Sequence, residues 1–172
     1  NIVAGAGKDT LTGNAADNVL EGGAGSDSLS GGAGNDRYLF RDAAAAEADT
    51  VTELAGQGLD TLDFSALSAS VNVTVNLSSD SALASHTRRT VKTGTNLAAN
   101  FENVIGGAGN DTLTGNAGNN QLDGMAGNDS LSGSLGNDSL LGGSGLDMLL
   151  GGPGTNTLDG GEPDHMLALR FA

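Results

Sequence analysis

GGAGNDTLT, GNAGNNQLD, GMAGNDSLS, GSLGNDSLL, GGSGLDMLL and GGPGTNTLD follow one another without a gap over residues 106–159. Every one of these nine-residue units has Gly at its first position and again at its fourth, at Gly109, Gly118, Gly127, Gly136, Gly145 and Gly154. The sixth position is Asp or Asn: Asp111, Asn120, Asp129, Asp138, Asp147 and Asn156. The eighth is always Leu: Leu113, Leu122, Leu131, Leu140, Leu149 and Leu158. A short fixed period of this kind predicts a stacked solenoid.

The same frame runs through residues 4–39 as AGAGKDTLT, GNAADNVLE, GGAGSDSLS and GGAGNDRYL. Its sixth positions are Asp9, Asn18, Asp27 and Asp36, and its eighth are Leu11, Leu20, Leu29 and Tyr38. Residues 40–105 break the frame. RDAAAAEAD is long enough for about two helical turns but has no apolar stripe. Ala48-Asp49-Thr50-Val51 reads as the second half of a unit, and AGQGLDTLD restores Gly58, Asp60 and Leu62 to register. Val71, Val73, Val75 and Leu77 alternate with polar residues, the period of a half-buried strand. Residues 78–100 read as a Ser/Thr/Asn/Ala-rich surface excursion. They hold the only basic cluster, His86, Arg88, Arg89 and Lys92, expected as a solvated loop near acidic neighbours. Residues 101–105 then re-enter as a strand. The organisation is a first run (4–39), a degenerate segment (40–105), a second run (106–159) and a C-terminal capping unit (160–172). In that last unit His165 stands in phase with Asp147, and Phe171 is placed to plug the open end.

Composition narrows the function. Aromatics make up 3% of the chain and there is no Trp, so Leu, Val and Ala must fill the core. The net charge of -14 disfavours nucleic acid and anionic membranes, which attract basic patches. The absence of Cys excludes disulfides and thiolate metal sites. No stretch approaches the ~20 apolar residues of a membrane-spanning helix. The chain opens without Met and almost inside a repeat, as a piece of something longer would. His86 and His165 belong to unrelated segments, and no nucleophile elbow is present, so nothing assembles a catalytic relay or a zinc site. Asp60 and Asp63 are read as one metal ligand and one surface residue rather than a glycosidase pair.

Within a unit, positions seven to nine form a very short strand with Leu pointing inward. The first six residues turn the chain, and Gly permits that turn. Two units make one flattened coil, so loops on one edge belong to alternate units. One edge of the second run then carries Asp111, Asp129 and Asp147, and the other carries Asn120, Asp138 and Asn156. In the first run the rows are Asp9 with Asp27, and Asn18 with Asp36. Coils lie roughly one strand spacing, ~4.8 Å, apart. Carboxylates stacked so closely repel, and a hard cation between them relieves the repulsion. Ca²⁺ takes oxygen ligands of both carboxylate and carbonyl type, and no soft ligand favours Zn²⁺ or Cu.

These units resemble the RTX nonapeptide GGxGxDxUx, the repeat of the hemolysin-type calcium-binding family. The resemblance covers residues 4–63 and 101–168 and is sharpest over 22–39 and 106–150. It implies an all-β fold, a right-handed parallel β-roll (β-solenoid) with an irregular inserted segment. It also implies several Ca²⁺ ions held between neighbouring coils. The ligands implied are Asp9, Asp27, Asp36, Asp111, Asp129, Asp138 and Asp147, with Asp60. Asn18, Asn120 and Asn156 would give an oxygen without charge, so the Asn-containing row should bind more weakly. Gly23, Gly25, Gly32, Gly34, Gly107, Gly109, Gly127, Gly136, Gly143 and Gly145 would shape the loops and present carbonyls. The family further implies a non-enzymatic module of a secreted or cell-surface protein. Such a module stays unfolded during type I export and folds on extracellular calcium beside neighbouring domains. A calcium-dependent surface assembly (adhesin, S-layer or filament, with self-association or cell-surface partners) and an accessory domain of a secreted enzyme or cytolysin are the alternatives.

Overall fold

The computed structural model describes residues 1–94 and 97–161; the readings of His165 and Phe171 lie outside them. The chain in this range is almost all strand. In chain order the strands are β1 (Ile2–Val3), β2 (Thr10–Thr12), β3 (Val19–Glu21), β4 (Ser28–Ser30), β5 (Arg37–Leu39), β6 (Glu47–Thr52), β7 (Thr61–Asp63) and β8 (Thr74–Asn76). There follow β9 (Ala84–His86), β10 (Arg89–Lys92), β11 (Asn103–Ile105), β12 (Thr112–Thr114), β13 (Gln121–Asp123), β14 (Ser130–Ser132), β15 (Ser139–Leu141), β16 (Met148–Leu150) and β17 (Thr157–Asp159). One short 3-10 turn, Ala98–Asn100, precedes β11.

Successive repeats alternate between two sheets. One sheet runs β1-β3-β5-β7-β11-β13-β15-β17 and is parallel throughout. The other runs β2-β4-β6-β10-β9-β8-β12-β14-β16. Register pairs residues one coil apart: Leu113 with Leu131 and Leu131 with Leu149, and on the other sheet Leu122 with Leu140 and Leu140 with Leu158. The architecture is therefore a parallel β-roll. In strands such as β2 and β14 the central Leu is buried and its polar neighbours turn outward, the period-two rule in its shortest form. Leu11, Leu20, Leu29, Leu113, Leu122, Leu131, Leu140 and Leu149 meet in one continuous core.

The middle of the chain departs in part from the sequence reading. Residues 43–46 form no helix, in keeping with the missing apolar stripe, and β6 starts at Glu47 and pairs parallel with β4, as the half-unit at 48–51 implies. The alternating stretch 71–77 is strand only at β8, although Val73, Val75 and Leu77 are all buried. The stretch read as a surface excursion is not one: residues 84–92 form the antiparallel hairpin β9–β10, which is built into the second sheet between β8 and β6. That sheet gains two strands that its partner lacks, since β7 pairs directly with β11. The widened interior needs larger side chains. Tyr38, Phe40, Phe64 and Phe101 collect there, with Phe40 stacked on Phe64 at 4.9 Å and Tyr38 edge-on to Phe101 at 5.9 Å.

The basic cluster is likewise corrected. Arg89 is 4% exposed, not solvated. Its guanidinium donates to Asp49 Oδ2 and to Glu47 Oε2, both at 2.5 Å, and to the Gly23 carbonyl at 2.9 Å, and it lies over the Phe40 ring. Asp63 is not a surface residue either: it is buried and ion-paired with Arg37.

Candidate metal centres

The short strand places each sixth-position side chain at the start of its strand, where the loop ends. There the residue is tied to the coil beside it. On the edge leading into β2, β4 and β6, the Asp9 N–H donates to Asp27 Oδ1 at 2.9 Å and the Asp27 N–H to Asp49 Oδ1 at 3.0 Å. Farther along that edge the Val73 N–H donates to Asp111 Oδ1, the Asp111 N–H to Asp129 Oδ1, and the Asp129 N–H to Asp147 Oδ1, at 2.8, 2.7 and 2.9 Å. On the opposite edge the donors and acceptors run Asn18 to Asp36, Asp36 to Asp60 and Asp60 to Glu102, then Asn120 to Asp138 and Asp138 to Asn156, at 2.7 to 2.9 Å. The two rows expected from alternate units are thus brought together, and each is a hydrogen-bonded ladder.

The ladder uses one oxygen of each carboxylate. The other, Oδ2, is buried without a hydrogen-bond partner in Asp9, Asp27, Asp36, Asp129, Asp138 and Asp147. Asp111 differs, because its Oδ2 accepts the Gly107 N–H at 2.7 Å. The Asn members meet their own needs. Asn120 Nδ2 donates to the Glu102 carbonyl and Asn156 Nδ2 to the Gly152 carbonyl. Asn18 Oδ1 accepts the Asn14 N–H. The row richer in Asp therefore holds the greater uncompensated oxygen charge.

First-position glycines make room for those oxygens. A Cβ on Gly106, Gly124 or Gly142 would stand 2.5 to 2.6 Å from Oδ2 of Asp111, Asp129 or Asp147. In the loops, Gly23, Gly25, Gly32, Gly34, Gly127, Gly136, Gly143 and Gly145 all have positive φ. A Cβ at Gly127 would strike the Gly109 carbonyl oxygen, and one at Gly145 the Gly127 carbonyl oxygen. Loop carbonyls of one coil thus face the next coil at close quarters, a cradle of hard oxygen that only glycine leaves open. Gly107 and Gly109 depart from the expected loop shape, for neither has positive φ. Gly109 still packs against the Val71 carbonyl, whereas a Cβ at Gly107 would be 3.4 Å from its nearest neighbour.

Burial acts on the charges. It pushes the Asp129 carboxyl up to about 7, with the charges of Asp111, Asp147 and Asp123 adding to the effect. Burial likewise raises Asp60 to about 6, and moves Asp36, Asp111 and Asp138 upward. Desolvating an ionised carboxylate costs roughly several kcal/mol unless a counter-charge answers it. Oxygen-only ligands in this arrangement fit a hard divalent cation such as Ca²⁺.

Two carboxylates of the ladders are not among the expected ligands. Asp49 and Glu102 continue the two ladders across the broken segment. The signal for both was present: with Val51 and Val104 in the eighth position, Asp49 and Glu102 fall in the sixth. Fifth-position side chains form a second, reversed ladder. The Asn128 N–H donates to Asn110 Oδ1 and the Leu146 N–H to Asn128 Oδ1, at 2.8 and 2.9 Å. Asn119 and Asn137 repeat this on the other edge.

A protein-family model, the RTX calcium-binding nonapeptide repeat in four copies, matches residues 3–38, 100–131 and 132–162, more than half of the chain. No curated protein sequence matches it.

Proposed function

The chain belongs to the RTX calcium-binding nonapeptide repeat family and is a calcium-binding β-roll module, and we propose that calcium is what makes this roll fold. The proposed ligands are the sixth-position carboxylates of Asp9, Asp27, Asp36, Asp60, Asp111, Asp129, Asp138 and Asp147, together with carbonyl oxygens of the Gly-rich loops. Asn18, Asn120 and Asn156 contribute weaker oxygens. One observation carries the reading: Oδ2 of Asp27, Asp36, Asp129, Asp138 and Asp147 is buried with no donor. Folded domains are stable by only ~5–15 kcal/mol, and several such oxygens left charged would consume that margin. A cation between coils turns the same oxygens into the stabilising element, and binding free energy then becomes folding free energy.

In the cell the module would serve a larger secreted or cell-surface protein. It would remain disordered at low cytosolic calcium, pass through type I export, and then stiffen to present neighbouring domains. Its role there is structural rather than catalytic. No helix among the described residues is long and apolar enough to cross a membrane. The test is circular dichroism of the chain in EGTA and in millimolar Ca²⁺, the range of extracellular modules at ~10⁻⁴–10⁻³ M. At neutral to mildly alkaline pH, β-structure should appear only with calcium. Full β-content in excess EGTA would refute the proposal.

A further inference from the structure

Two departures from the repeat meet at one point. Tyr38 occupies an eighth position that is Leu in every other unit of both runs. Glu53 follows Thr52, which pairs with Ser30, so Glu53 stands where Gly31 stands in the coil before it, at a first position that is Gly in nine of the ten units of the two runs. The Tyr38 hydroxyl donates to Glu53 Oε1, and the Gly31 N–H donates to the same oxygen at 3.2 Å. These bonds hold the Glu53 side chain against the row formed by Asp36 and Asp60. One carboxylate oxygen from each of Asp36, Glu53 and Asp60 lies within 4.8 Å of the other two.

All three side chains are 1% exposed. Glu53 Oε2 and Asp36 Oδ2 have no hydrogen-bond partner. Asp36 Oδ2 and Glu53 Oε1 both converge on Gly31, where a Cβ would collide with each. The ion pairs among the described residues leave the trio out: Arg37 is taken by Asp63, Arg41 by Glu21, and Arg89 by Glu47 and Asp49. The charge of this cluster therefore has no counter-ion among the described residues.

We infer that Asp36, Glu53 and Asp60 form a calcium site of their own, in which Glu53 supplies a third carboxylate that the nonapeptide frame does not provide. This rests on the reading of the rows as calcium sites and extends it to a residue outside them. The physical reason for the site is position. It lies where the regular first run meets the widened centre, beside the aromatic cluster of Tyr38, Phe40, Phe64 and Phe101. An ion with three carboxylate ligands would bind there more firmly than one between two sixth-position residues. It would fix the broken segment to the first run.

Tyr38 makes the site separately visible. The chain has one Tyr and no Trp, so terbium, a luminescent stand-in for Ca²⁺, can be sensitised at short range only by Tyr38. The intact chain is titrated with Tb³⁺ under excitation of tyrosine, with circular dichroism followed in parallel. Sensitised emission is expected, displaced by excess Ca²⁺. Glu53→Gln should weaken terbium binding in this signal at least tenfold. Asp159→Asn, an exposed change in β17 outside both rows, should leave it intact. If Glu53→Gln does not fold, Glu53→Asp, which withdraws the carboxylate by one methylene, is expected to weaken the signal likewise. Absence of emission from the folded wild type, or an unchanged titration in the Glu53 variants, overturns the site. Calcium-independent folding in the same samples would instead count against the proposed function, so the two failures are distinguishable.

Discussion

The Asp129 N–H donates to Oδ1 of Asp147 at 2.9 Å, while Oδ2 of the same Asp147 is buried with no donor. One carboxylate thus has two jobs. Oδ1 ties coil to coil as any amide oxygen could, and Oδ2 carries the charge. The neighbouring Asn128 N–H donates in the opposite direction, to Asn110 Oδ1 at 2.8 Å. The coils are therefore laced both ways by backbone N–H donors to side-chain oxygens, and the sixth-position charge is an addition whose sign of effect depends on a cation.

Asp129→Asn separates those jobs. Asn keeps the Oδ1 acceptor for Asp111 and removes the charge. In EGTA the substitution should be neutral or stabilising, because it relieves repulsion with Asp111 and Asp147. In saturating Ca²⁺ it should destabilise by about 1–3 kcal/mol, the loss of a charge-assisted ligand. Urea unfolding in saturating Ca²⁺ reads the loss, and circular dichroism in EGTA should show β-content no lower than that of the wild type. Asp138→Asn should cost less in calcium, since its row neighbours Asn120 and Asn156 already satisfy their own amides.

Acid should partly replace calcium. In the folded chain burial holds Asp129 and Glu53 at about 7 and Asp60 at about 6, above the ordinary unfolded value near 4. A raised carboxyl pKa means the protonated form is favoured in the fold. Its stabilising contribution is full below pH ~4 and is lost as pH rises through ~6–7. Circular dichroism in EGTA should show β-content increasing from pH 8 to pH 4.5. A decrease over that range would contradict the assignment of burial as the cause.

Arg89 is a resident cation. It binds Asp49, a sixth-position carboxylate, and the Gly23 carbonyl of a neighbouring loop, the two kinds of oxygen proposed for calcium elsewhere. Arg89→Ala would leave Glu47 and Asp49 without their counter-charge and should cost about 3–5 kcal/mol in saturating calcium. Arg89→Lys should recover only part, because one ammonium cannot span the guanidinium's three acceptors. Thermal unfolding of the two variants checks the order.

Much of this was legible in the sequence, for a physical reason. The strand core, the tight loop and the charged edge recur every nine residues, so the parallel roll and both rows follow from counting. What escaped lies where pairing is non-local. The hairpin β9–β10 has no frame of its own, and its place is set by β6, some forty residues earlier, and by β8. Once it is inserted, Arg89 must be buried to answer Asp49 and Glu47, which a local reading of a basic cluster does not reveal. Asp49 and Glu102 were within reach of the frame. Glu53 was not, because it replaces a Gly and shows its partner Tyr38 only in three dimensions.

The central claim is that calcium sits against the buried carboxylate oxygens of both rows. Anomalous scattering from crystals grown in saturating Ca²⁺ tests it most directly. Ion peaks are expected beside Oδ2 of Asp27, Asp36, Asp129, Asp138 and Asp147, with higher occupancy along the row of Asp111, Asp129 and Asp147 than along that of Asn120, Asp138 and Asn156. A folded roll in saturating calcium with no ion at those oxygens would contradict the account.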